Sequence, residues 1–104
     1  MDIKSITEKN RAAWNEAVSY HQKARNKSLH NGFKKLDFTT FNRECDKCLL
    51  PKLRNINFVG KTVAQLPCNN GRELLSLLKL GADKAVGFDI SDVAIDEAKK
   101  LTWL

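Results

Sequence analysis

The residues best placed to do chemistry are the loop 67–71 and the acid Asp89, eighteen positions beyond Gly71. Pro67, Asn69, Asn70 and Gly71 crowd turn-forming types into five positions, where no regular element continues. Asn69 tolerates left-handed backbone better than most residues, and Gly71 allows close backbone approach. A loop of this kind between a strand and a helix turns backbone N–H groups outward at the helix N-terminus, where they hold the polar or anionic part of a ligand. An acid at the tip of the neighbouring strand accepts two hydrogen bonds from a ribose diol. The observed separation is close to the roughly 20 residues expected for that arrangement. The pair points to a nucleotide-like cofactor.

The elements that must position this pair follow from the flanking pattern. Residues 61–66 form a short β-branched and apolar run that suits a buried strand. Residues 73–80 set Leu74, Leu75, Leu77, Leu78 and Leu80 around polar Ser76 and Lys79, as on a helix packed against a sheet. Gly81 is a C-terminal stop. Residues 85–88 make a second strand with Asp89 at its end. Ser91 or Asp92 caps a further helix over 93–101, with Ala94, Ile95, Ala98 and Leu101 inward. The order strand, helix, strand, helix predicts a right-handed crossover with parallel, adjacent strands.

The segments LPCNNG (66–71) and VGFDIS (86–91) resemble the cofactor motif of the class I S-adenosylmethionine-dependent methyltransferases. In that family the loop runs acidic residue, Leu, Gly, Cys, Gly, any residue, Gly. Here those slots hold Gln65, Leu66, Pro67, Cys68, Asn69, Asn70 and Gly71, so Leu66, Cys68 and Gly71 match. Asp89 stands at the family's ribose-binding acid and Ile90 at a residue flanking the adenine. DISDVAIDEAKKL (89–101) resembles the start of the family's next helix. The resemblance covers roughly 60–101, with weaker similarity at 10–25.

Pro67 departs from the pattern by removing one N–H donor from the loop. It keeps the carbonyl that in this family meets the cofactor's amino group. The resemblance implies an α/β chain with a partial Rossmann-like methyltransferase fold. A helical segment, 1–60, precedes the truncated first half of the S-adenosylmethionine-binding domain, 61–104. Cofactor contacts are expected from Leu66, Pro67, Cys68, Asn69, Gly71, Asp89 and Ile90. Many family members also close an N-terminal helix over the cofactor, which adds Trp14. Packing on the domain is the simpler reading for Trp14 and Tyr20, and a surface or packing role is the simpler one for His21.

Two other functions compete with a methyltransferase fragment. A dinucleotide-dependent oxidoreductase needs its third glycine five positions after the first, a slot held here by Arg72. A non-catalytic remnant or interaction module fits the altered loop and the short chain. With nothing after Leu101 to build an acceptor pocket, the 104 residues alone are expected not to transfer methyl groups. Unpaired strand edges predict self-association or a complementing chain.

Composition sets broader limits. Hydrophobic residues at 42% and charged residues at 29% are ordinary for a globular chain. No apolar run is long enough to span a membrane and no secretory signal is present, so the expected location is cytoplasmic. The net charge of +6 is concentrated in residues 1–61, which hold 13 Lys/Arg against 6 Asp/Glu. Lys23, Arg25, Lys27, Lys34 and Lys35 cluster around an expected loop at 26–37. Such a patch suits RNA or another anionic partner, but no RNA-binding motif accompanies it, and a solvated loop beside a helix end is the stronger reading.

Residues 5–25 read as a helix with a capping box at Ser5 and Glu8. Its inward side is expected to be Ile6, Ala13, Trp14, Ala17, Val18 and His21. Asn31-Gly32 marks a turn. A second helix within 38–54 places Phe38, Phe41, Cys45, Cys48, Leu49 and Leu53 on one side, with Pro51 kinking or interrupting it. Cys45 and Cys48 are spaced as two zinc ligands or a redox dithiol. Without a second pair, packing on one helix face is the stronger reading, and no metal is expected.

Overall fold

A computed structural model describes residues 2–35, 37–42 and 48–102. In chain order the elements are α1 (Ile3–Phe33), a 3-10 turn (Thr40–Asn42), α2 (Leu49–Arg54), β1 (Thr62–Gln65), α3 (Arg72–Lys79), β2 (Lys84–Gly87) and α4 (Asp92–Thr102). The chain is α/β, and its sheet is parallel: Thr62, Val63, Ala64 and Gln65 pair in register with Lys84, Ala85, Val86 and Gly87. The strand–helix–strand–helix order matches the sequence reading.

Among the described residues, helix α3 covers one sheet face. Val63, Gln65, Ala85 and Gly87 are half-buried, whereas Ala64, Val86 and Phe88 stand exposed on the opposite side. The expectation of a buried first strand is therefore corrected to a half-buried one, since a parallel sheet needs cover on both faces to bury its strands. Beyond the strand ends the ladder continues into the loop. Phe88 N–H donates to Gln65 O at 3.1 Å, and Cys68 N–H donates to Phe88 O at 2.8 Å.

Ser76, expected on the polar side of α3, is fully buried. Its hydroxyl lies 2.7 Å from Arg72 O and accepts from Thr40 N–H at 2.9 Å, so it docks the 3-10 turn onto α3. A small hydroxyl can sit inside when backbone groups satisfy it. At the other end of α3, Lys79 Nζ donates to Lys35 O at 3.0 Å.

Helix α1 is longer than the sequence predicted. Its 31 residues, at 1.5 Å each, account for the molecule's 45 Å longest dimension. Asp2, not Ser5, caps it, with Oδ1 accepting from Lys4 N–H at 3.0 Å. The expected loop at 26–37 is helical through Phe33, and Asn31-Gly32 lies within the helix rather than in a turn. The glycine there serves packing, because a Cβ on Gly32 would come within 2.5 Å of the Phe38 ring. That ring also meets Phe33 edge to face at 4.9 Å.

The predicted inward side of α1 is also corrected. Val18 is buried and Ala17 half-buried, but Ile6, Ala13, Trp14 and His21 are exposed, because only a narrow stripe of this stretch, at Asn15, Ala17 and Val18, meets the body. The side chains of Lys23, Arg25 and Lys27 lie outside the described residues, and Lys34 and Lys35 are exposed.

The expected helix across 38–54 resolves into the 3-10 turn and α2, and residues 43–47 lie outside the described residues. Pro51 occupies the first turn of α2, where its missing N–H has no intrahelical role, so it neither kinks nor interrupts that helix. Cys45 of the CxxC pair lies outside the described residues, while Cys48 is exposed.

Candidate functional site

The site forms where both strands end. Leaving β1, the chain passes through Leu66 and a cis Pro67, then takes positive φ at Asn69 (52°) and Gly71 (80°) before entering α3. Gly71 N–H donates to Cys68 O at 2.9 Å and closes the turn. Asn70 Oδ1 accepts from Arg72 N–H at 3.4 Å at the start of α3.

The neighbouring strand's acid organises this loop. Asp89 Oδ2 accepts from Asn69 N–H at 2.8 Å, and its Oδ1 accepts from Ser91 N–H at 2.9 Å. One carboxylate thus holds the first loop to the second. A carboxylate has about four acceptor positions, so two remain for a ligand's hydroxyl groups. Ser91 is buried and caps α4, its Oγ accepting from Ala94 N–H at 3.1 Å.

A cleft of about 420 Å³ opens over these loops, within the size range of small-molecule sites. Pro67, Asn69, Asn70 and Arg72 line one wall, Asp89, Ile90 and Ser91 a second, and Trp14, Ala17, Val18 and His21 of α1 a third. The third wall comprises residues at i, i+3, i+4 and i+7, a single helix face. Acceptors at Asp89 beside the apolar surfaces of Trp14 and Ile90 suit a ligand carrying a diol and a flat ring. Arg72 contributes a cation, with Nε 3.5 Å from Glu73 Oε1.

Of the residues singled out from the sequence, Trp14, Pro67, Asn69, Asp89 and Ile90 converge on the cleft. Leu66, Cys68 and Gly71 lie off its walls. Leu66 is exposed. Gly71 faces α4, where an added Cβ would lie 3.0 Å from Ala98 Cβ, so its lack of a side chain serves helix packing. Cys68 is buried beneath the loop. His21, read as a surface or packing residue, and Arg72 also line the cleft. Sequence reasoning missed Asn15, whose polar type on a mixed helix carried no distinguishing signal. Among the described residues, no group of three or more His, Cys, Asp or Glu is placed to hold a metal.

Burial pushes the Cys68 thiol above its ordinary value, and the negative charge of Asp89 adds to the shift. The thiolate is the reactive form, so Cys68 should resist alkylation in the native chain. Mass-spectrometric mapping of iodoacetamide adducts is expected to find exposed Cys48 modified at least about tenfold faster than Cys68. The protection should persist at pH 9, above the ordinary thiol value of about 8.5, and vanish in denaturant.

The chain is 36% identical over 64 residues to the ribosomal protein L11 methyltransferases of Escherichia coli and Shigella boydii, covering 62% of this chain and 22% of theirs. It is 42% identical over 48 residues to that of Alteromonas mediterranea, covering 46% of this chain and 16% of that protein. The chain therefore spans about a fifth of the length of the curated relatives it matches. No family model matches the chain, and no solved structure matches it at comparable significance. Among the described residues, no helix is long and apolar enough to cross a membrane.

Proposed function

We propose that this chain is the S-adenosylmethionine-binding part of a cytoplasmic methyltransferase, with residues 61–104 as the first half of the cofactor domain and 1–60 as a helical segment preceding it. The observation that carries the reading is the joint placement of loop 67–71 and the Asp89 carboxylate beneath a cleft walled by Trp14. The methyltransferase relatives support it. The residues fit the group: Asp89 retains acceptor positions for the ribose hydroxyls, Ile90 and Trp14 offer surfaces to the adenine, and the Pro67 carbonyl is available to the amino group. When bound, the cofactor supplies an electrophilic methyl group on a sulfonium. The chain's own residues bind it, orient it and shield it with α1.

The acceptor and the remaining machinery belong to a longer protein or a complementing chain. The open sheet edges and the exposed apolar residues Leu66 and Phe88 offer a surface for such a chain or for a second copy. The relatives' names make ribosomal protein L11 the first acceptor to try. Trp14 provides the assay once the second tryptophan is removed by Trp103→Phe. Titrating the chain with S-adenosylmethionine should change Trp14 fluorescence saturably, whereas NAD should not. A stronger response to NAD would favour the oxidoreductase reading, and no response to either would favour a non-catalytic module.

A further inference from the structure

Asn15 joins α1 to the far end of the chain through one side-chain amide. Its Oδ1 accepts from Ser91 Oγ–H at 2.6 Å and from Val93 N–H at 3.4 Å, and its Nδ2 donates to Asp92 Oδ1 at 2.9 Å. These partners lie 76 to 78 residues away in sequence and form the first turn of α4 and its cap. Ser91 N–H in turn donates to Asp89, whose other oxygen holds Asn69. A continuous series of hydrogen bonds therefore runs from α1 through Asn15, Ser91 and Asp89 to the loop after β1.

Helix α1 packs chiefly against α4, and Asn15 supplies a polar part of that contact. Residues 2–14 are exposed apart from half-buried Thr7, and Val18 supplies the nearby buried apolar contact. Apolar burial has no direction, whereas an amide that accepts on one side and donates on the other has a required orientation. Turning α1 by one residue, 100° at 3.6 residues per turn, would carry Trp14, Ala17, Val18 and His21 off the cleft.

We propose that Asn15 is a positioning residue, a latch that docks α1 against the Ser91–Asp92 corner and couples the helix wall of the cleft to the Asp89 carboxylate. Docking of α1 stands independently of which ligand binds, whereas the effect on S-adenosylmethionine affinity rests on the proposed function. Three variants of the 104-residue chain test it: Asn15→Ala, Asn15→Asp, and Asn15→Asp combined with Asp92→Asn. The combined variant exchanges donor and acceptor across the pair and preserves the acceptor for Ser91 and Val93.

Backbone hydrogen exchange is measured without ligand, and the dissociation constant is measured for S-adenosylmethionine. Both single variants should speed exchange in α1 around residues 10–21 while leaving α3 and both strands protected. They should also weaken binding about tenfold, the scale of one net hydrogen bond. The combined variant should restore both, which a general loss of structure would not do. Unchanged exchange in Asn15→Ala, unchanged affinity or absence of rescue would overturn the latch. If the unaltered chain does not bind S-adenosylmethionine, the functional reading fails while the exchange measurements still decide the docking.

Discussion

Asp89→Ala is expected to weaken S-adenosylmethionine binding roughly 100-fold or more, read by titration calorimetry. Two hydrogen bonds from ribose hydroxyls to a charged acceptor are worth about 1.5–3 kcal/mol each, and each 1.4 kcal/mol is a factor of ten. The substitution also frees two backbone N–H groups, those of Asn69 and Ser91, that the carboxylate now satisfies. The loop and the α4 cap should loosen together, seen as faster exchange at Asn69 and Ser91. Asp89→Asn should fall between the unaltered chain and Asp89→Ala, because one oxygen still accepts while the new amide NH2 opposes the backbone N–H that the lost oxygen accepted from. A dissociation constant for Asp89→Ala within threefold of the unaltered chain would place the ligand elsewhere.

Gly87→Ala is expected to destabilise the fold by about 1–3 kcal/mol, the usual cost of overpacking. An added Cβ would lie 2.8 Å from Cys68 Sγ, 3.0 Å from Cys68 Cβ and 3.0 Å from Leu74 Cδ2. Cys68 has little room to retreat. Its N–H is bonded to Phe88 O at 2.8 Å and its carbonyl accepts from Gly71 N–H at 2.9 Å. A chain of this size loses roughly 4–8 °C of Tm per kcal/mol, which a circular dichroism melt resolves. Adding Cys68→Ala removes the closest contact and should recover part of the loss, so the two substitutions should be non-additive. A Tm unchanged in Gly87→Ala would show that the loop gives way without cost.

The unit from Thr62 to Thr102 was legible because its signals are local. A β-branched run, a cluster of turn formers, a leucine-rich helix with a glycine stop and a serine before the last helix each act within a few residues. The pairing of Asp89 with the loop was legible because strand and helix lengths fix the separation of two neighbouring strand ends. The convergence of Pro67, Asn69, Asp89 and Ile90 on one cleft follows from those strand ends lying side by side.

What only the tertiary structure decided concerns groups whose partners are distant in sequence. Ser76 reads as a surface position on any helical projection, yet it is buried because Thr40 and Arg72 O satisfy its hydroxyl. Gly32 reads as a turn, yet it lies in a helix, and the Phe38 ring occupies the space where a Cβ would stand. Asn15 is one polar residue among many on α1 until Ser91 and Asp92 are brought against it. Trp14 matches an apolar helix face but is exposed, since it borders an open cleft and not the packed core. Local propensity and periodicity report what a segment prefers to form. Burial of a polar group or exposure of an apolar one depends on which distant atoms arrive beside it, and that depends on how the elements pack.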